Sequence, residues 1–192
     1  MLDIQGHTHR DQLQIFYDYA ASSLSSSNPS TACKNSTSML RNTTAVDYKK
    51  PLAMGYIGPS VTPLNGLNAG WQLYQVDAKT FEVMGIQTYF ANISEANSWT
   101  GPVWKFEYDA RTVYDDGSWP KTAPLNATFW NGVAQRMLKN QTLVEQYNLL
   151  ETKSSAVTKN CTSAACGQQK VCYIRSGSSA LGNLCPQKQG PN

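Results

Sequence analysis

Four cysteines, Cys161, Cys166, Cys172 and Cys185, fall within 25 residues near the end of this 192-residue chain, and Cys33 stands alone. Four close cysteines permit three disulfide pairings. A zinc knot is the competing reading, but the intervening lengths of four, five and twelve residues lack the usual Cys-x2-Cys hook. Two bridges would hold a polar tail that has little core of its own. Cys33 is an odd thiol, either free or paired outside this chain.

The compartment follows from these cysteines together with glycosylation signals along the chain. Six Asn-x-Ser/Thr sequons occur, at Asn35, Asn42, Asn92, Asn126, Asn140 and Asn160, whereas Pro29 disqualifies Asn28. Sequons together with clustered cysteines point to a secretory route, ending outside the cell or in a lysosome or vacuole. Met1-Leu2-Asp3 has neither the basic start nor the apolar core of a signal peptide, so the beginning of such a protein is expected upstream. Charged residues make up only 15% of the chain, below the roughly one quarter of ordinary domains. Solubility therefore rests on uncharged polar groups and sugars. The dispersed net charge of +3 argues against nucleic acid. No apolar run is long enough to span a bilayer.

Along the chain, strand patterns come first. Leu13, Ile15 and Tyr17 alternate with polar neighbours, the period of a half-buried strand. Residues 22–46 are rich in Ser, Thr and Asn and read as an exposed insertion. Residues 51–57, 71–77 and 81–90 are further strand candidates, and the loop over 58–70 carries Gly, Pro and Asn. Trp104, Phe106 and Tyr108 alternate with charged residues, as in another short strand. Helical spacing follows. Trp130, Val133, Ala134, Met137 and Leu138 share one face behind an Asn126 cap. Thr142 to Glu145 has the form of a capping box, ahead of a Leu143, Tyr147 and Leu150 stripe.

His7 and His9, the only histidines, sit in one tripeptide after Gly6. In an extended segment residues two apart project to one side, and neutral imidazole is a common ligand for zinc. Gly6-His7-Thr8-His9 with Asp11 resembles the last metal-binding motif of the calcineurin-like metallophosphoesterases, in the form used by acid sphingomyelinase. Pro51-Leu52-Ala53, Pro59-Ser60-Val61-Thr62-Pro63, Gly66-Leu67-Asn68-Ala69-Gly70-Trp71 and Tyr74-Gln75-Val76-Asp77 continue the likeness in the family's order, and the Cys-rich tail resembles the family's C-terminal helical domain.

This resemblance implies an α+β chain. Residues 1–90 would form the C-terminal part of a metallophosphoesterase β-sandwich, and residues 91–192 a small disulfide-bonded helical C-terminal domain. It implies the pairings Cys161–Cys166 and Cys172–Cys185, and a centre of two zinc ions with His7 on one and His9 on the other. Asp11 would hold the loop or the ligands' surroundings, and Thr62 and Asn68 would shape the cleft wall. The substrate would be a phosphodiester, sphingomyelin at a membrane surface, cleaved to ceramide and phosphocholine.

The family's Asp-x-His, Gly-Asp and Gly-Asn-His motifs do not occur in this chain, so the chain alone is expected to be inactive. Two other readings stand beside this one. The first is a hydrolase of nucleotide or polyphosphate esters on the same scaffold, since Leu64-Asn65 stands where the sphingomyelinases carry aromatic groups near the choline site. The second is a non-catalytic secreted glycoprotein.

Overall fold

A computed structural model describes residues 2–5, 8–19 and 46–186. His7, Cys33, Asn35, Asn42 and most of the expected insertion lie outside the described residues.

Strand β1 (Leu2–Gln5), β2 (Gln12–Tyr19) and β3 (Val46–Ile57) form one three-stranded sheet in the order β1-β3-β2. The β1–β3 pair is parallel and the β2–β3 pair antiparallel. Leu13, Ile15 and Tyr17 are buried as their alternation predicts. Strands β4 (Ala69–Val76), β5 (Val83–Ala91) and β6 (Lys105–Asp109) form a second, antiparallel sheet, with a 3-10 helix over Ile93–Ser98 between β5 and β6. Among the described residues the fold is therefore mixed α and β, with two small sheets.

In β6 the alternation breaks. Tyr108 pairs with Thr88 and Phe106 with Tyr89, so Glu107 is the extra residue of a bulge. Two residues now oppose one, and a bulge re-aims the side chains on either side of it. Tyr108 turns inward and is buried, while Phe106 stays 54% exposed. On the outer face Phe106 lies edge-on to Tyr89 at 5.6 Å, and Tyr89 stacks on Trp71 at 4.4 Å. Period-2 reading alone puts Phe106 and Tyr108 on one face.

Among the described residues five helices follow: α1 (Ala110–Tyr114), α2 (Ala127–Met137), α3 (Gln141–Glu151), α4 (Ala164–Ile174) and α5 (Ser179–Gly182). Trp130, Val133, Ala134 and Met137 are buried on one face of α2. Leu138 is the C-cap and is 47% exposed, because the chain turns away there before another turn of helix can carry it inward. The cap of α3 lies two residues before the expected one at Thr142. Asn140 caps it by accepting from Leu143 N at 3.2 Å, which places Thr142 inside the helix. Leu143, Tyr147 and Leu150 form the predicted buried stripe.

One core joins these layers. Met54 and Tyr56 of β3, Ile86 of β5, Tyr108 of β6 and the inner faces of α2, α3 and α4 belong to a single buried cluster. Its polar seam is satisfied: Trp130 Nε1 donates to Tyr56 Oη at 2.7 Å, and Tyr56 Oη donates to Leu125 O at 2.9 Å. Disulfides Cys161–Cys166 and Cys172–Cys185 tie the tail, with Cα–Cα distances of 5.5 and 5.7 Å. The first clips the approach to α4 onto its first turn, and the second ties α4 to the residue beyond α5.

Asn126 Oδ1 accepts from Thr128 N at 3.0 Å and Phe129 N at 3.2 Å, closing the first turn of α2. Asn126→Ala is expected to lower stability by about 1 kcal/mol, read as a fall of about 2–4 °C in a thermal melt. An unchanged melt would show that this cap contributes nothing.

Candidate metal-loop site

The His9 loop joins β1 to β2, and His9 itself has φ 59°. That left-handed conformation is uncommon for a residue with a side chain and persists where surrounding contacts over-determine it. His9 Nδ1 lies 2.8 Å from the carbonyl oxygen of Thr62 in the loop before β4. A carbonyl only accepts, so Nδ1 carries the hydrogen and Nε2 keeps its lone pair. Nε2 has no hydrogen-bond partner among the described residues. A histidine held at one nitrogen by a backbone carbonyl, with the other nitrogen bare, has the form of a metal ligand. The ring therefore fits a bound transition metal. Among the described residues, no group of three or more His, Cys, Asp or Glu could hold such an ion.

Asp11 does not face this opening. Its carboxylate is buried and accepts from Gln72 Nε2 at 2.8 Å, Thr88 Oγ1 at 3.1 Å and Tyr108 Oη at 2.6 Å. Burial pushes its pKa up from 3.8 to about 6, against the lowering effect of those three donors and of Lys153. The cavity beside it measures about 10 Å³, room for no more than one water. Asp11 therefore anchors the loop from inside.

Asn68 is also buried, at 1% exposure, and makes three bonds. Its backbone N donates to Ser155 Oγ at 2.6 Å, Nδ2 donates to Lys153 O at 2.8 Å, and Oδ1 accepts from Ile93 N at 3.0 Å. It joins the 58–70 loop to the turn after α3 and to the 3-10 helix, with no side-chain group left for a cleft. Thr62, in contrast, is brought to His9. A larger groove of about 540 Å³ lies between Pro51–Met54, Phe81 and Leu125–Thr128, and none of His9, Asp11, Thr62 or Asn68 lines it.

Sequence reasoning missed the segment that supports this loop from behind. Glu151, at the end of α3, is 2% exposed. Its backbone O accepts from Asp11 N at 2.9 Å. Its carboxylate accepts from Arg10 Nη1 at 3.4 Å, and from Gln12 Nε2 and Lys170 Nζ. Lys153 follows, fully buried, with Nζ donating to His9 O. A signal for Glu151 was present: it lies four residues after Tyr147, so a charge falls on the apolar stripe of α3. Lys153 had no such signal, because the chain has already left the helix there.

Glu107, the bulge residue, accepts from Ser154 Oγ at 2.8 Å, and its Oε2 is buried without a partner. Burial first, and then the charge of Asp11, raise its pKa from 4.5 to about 8, against Ser154 and Lys153. Lys153 is lowered from 10.5 to about 8, chiefly by burial.

Of the six sequons, four fall on described residues. Asn92, Asn126 and Asn140 are helix N-caps, and Asn160 is exposed.

No family model matches the chain. It is 28% identical over 171 residues to sphingomyelin phosphodiesterase A of Dictyostelium discoideum, covering 89% of the chain and 24% of that protein. It is 28% identical over 185 residues to the sphingomyelin phosphodiesterase of Bos taurus, covering 94% and 24% respectively. A human cyclic GMP-AMP phosphodiesterase is 25% identical over 116 residues, covering 57% and 19%. The chain spans about a quarter of the length of the curated relatives it matches.

The raised carboxyls set a pH dependence. Between about pH 8 and 4.5 the folded protein holds protons on Glu107 and Asp11 that the unfolded chain has released, so stability rises as pH falls through that window. Lys153 acts only above it, between about 8 and 10.5. The lowered carboxyls of Asp77, Glu95 and Asp116 oppose it only at more acid pH. The melting temperature is expected to climb from pH 8 to pH 5, and Glu107→Gln should flatten much of the climb. A midpoint that falls over the same interval would contradict the assignment.

Along almost its entire length the chain thus resembles the acid sphingomyelinase-like phosphoric diester hydrolases.

Proposed function

We propose that this chain supplies a histidine-bearing wall of a metal-dependent phosphodiesterase site that hydrolyses sphingomyelin to ceramide and phosphocholine. The observation that carries this reading is the His9 ring, held through Nδ1 by Thr62 O at 2.8 Å with Nε2 left as a donor. His7, two residues earlier, is proposed as the second donor. Bound zinc at such a site stabilises charge on the phosphoryl oxygens and lowers the pKa of water.

The chain's own contribution is to position. Thr62 sets the plane of the His9 ring, and Asp11 fastens the loop's inner side. Asn68 keeps the 58–70 loop, and with it the Thr62 carbonyl, at the right height. Two histidines cannot hold two ions against water, so the chain by itself is proposed to be inactive. The remaining ligands belong to sequence that it does not contain. Residues 1–90 are read as the part that bears the site and residues 91–192 as the helical part that supports it.

Two disulfides and six sequons support an oxidising destination, outside the cell or in a lysosome or vacuole. Among the described residues no helix is long and apolar enough to cross a membrane, and a sphingolipid substrate would be met at the membrane surface. A second reading keeps the same hydrolysis on a nucleotide phosphodiester. Its support is the similarity to the cyclic GMP-AMP phosphodiesterase and the half-exposed Leu64 in the loop that carries Thr62.

The test is a chimera in which this chain replaces the matching quarter of the bovine sphingomyelin phosphodiesterase. The chimera is expected to bind zinc and hydrolyse sphingomyelin. His9→Ala should cost at least about 100-fold in kcat/KM, the scale of several kcal/mol of lost charge stabilisation. Turnover of a cyclic dinucleotide in preference to sphingomyelin would favour the second reading. A His9→Ala chimera with unchanged zinc content and rate would sink both.

A further inference from the structure

We propose that Lys153 is a positioning residue for His9, and that the turn from Glu151 to Ser155 serves as a strap holding the His9 loop in its working conformation. The consequence for catalysis rests on reading His9 as a metal donor; the positioning itself does not.

Three lines of geometry converge on this strap. First, it grips the loop at consecutive points: Lys153 Nζ donates to His9 O, Glu151 O accepts from Asp11 N at 2.9 Å, and the Glu151 carboxylate takes Arg10 and Gln12. Its other edge holds the opposite loop, since Lys153 O and Ser155 Oγ both bond Asn68. The loop bearing His9 and the loop bearing its partner Thr62 are thus held by the same five residues.

Second, the strap carries its own strain. Lys153 and Ser154 have φ of 56° and 50°, and His9 has 59°. Two side-chain-bearing residues in the left-handed region, Lys153 and His9, thus meet at one contact, and Ser154 adjoins it in the chain. Such conformations are unfavourable and persist only where the surroundings impose them.

Third, a passage is built for the lysine. A Cβ on Gly70 would sit 2.5 Å from Lys153 Cδ and 3.2 Å from Cγ. The stem crosses β4 only because that position has no side chain. The ammonium is desolvated there, a large cost for a residue whose sole task is packing. The charged groups that act on it are Asp11, Glu107 and Glu151, which favour its charge, and Arg10, which opposes it.

Holding His9 O matters because a left-handed residue has no regular hydrogen-bonding neighbour to keep it there. If that carbonyl is released, the backbone can relax toward ordinary φ. The imidazole then swings away from Thr62 O, and the tautomer that leaves Nε2 bare is no longer favoured.

The experiment reads the ring and needs neither turnover nor metal. Long-range proton–nitrogen spectra of the chain should show the His9 ring in its Nδ1–H tautomer. In Lys153→Met the far-ultraviolet dichroism should be retained. The His9 signals should move toward a tautomer mixture, and exchange of the Arg10 amide should quicken by at least about tenfold as the loop opens locally. Gly70→Ala, which keeps the amine but blocks its path and also presses on Pro59 at 3.2 Å, should do the same. Val144→Ala destabilises the core away from the loop and should leave the ring signals in place. If Lys153→Met leaves the tautomer and exchange unchanged, the proposal is overturned. If neither strap variant folds, the wild-type Lys153 ammonium decides: a slowly exchanging signal with a cross-peak to His9 supports the contact, and its absence overturns it. A ring that holds its tautomer in the wild type and takes up no zinc in the chimera sinks the metal reading and leaves the strap standing.

Discussion

The structure around His9 depends on charge buried between layers. Asp11 and Lys153 are both removed from water, and each is accepted there because donors and acceptors from several elements converge on it. A buried carboxylate without such partners would cost several kcal/mol. Tyr108 of β6, Thr88 of β5 and Gln72 of β4 offset part of that cost for Asp11, so the second sheet must sit against the loop for the network to close. The polar network therefore fixes the angle at which loop, sheet and helix α3 meet, a task that apolar packing alone does loosely.

That network also explains the bulge in β6. With regular alternation, Tyr108 would share the outer face with Phe106 and could not reach Asp11. The extra residue, Glu107, reverses it and itself lands beside Ser154 and Lys153. Its Oε2 is buried without a partner, and burial raises its pKa, because few donors stand in for the water it has lost. One irregular residue thus aims a tyrosine inward and brings a half-buried carboxyl to the strap.

Sequons and helix caps coincide for a related chemical reason. An asparagine followed two residues later by Ser or Thr also suits a helix start, where Oδ1 can take a free backbone N–H. Asn92, Asn126 and Asn140 all do so. At Asn126 the oxygen makes the capping bonds, so capping leaves the nitrogen a sugar would use. At Asn92 that nitrogen donates to Glu95 at 3.0 Å, and a sugar there would have to displace the bond.

Much of the fold was legible in the sequence. Period-2 alternation located β2 and period-3.6 spacing α2 and α3, because one buried face leaves a repeat in the chain, while apolar runs located the β4–β5 pair. The paired histidines and the order of the motifs around them led to the phosphodiesterase likeness. What the sequence by itself determined is local: which segments are strands and helices, and which side chains could bind metal or carry sugar. Only tertiary structure decided that Asp11 and Asn68 point inward rather than into a cleft, that Thr62 orients His9, and that Lys153, 144 residues away in sequence, holds the histidine's carbonyl. Contacts of that kind join residues with no periodic relation, so their partners are chosen by how the layers pack and leave no trace in spacing.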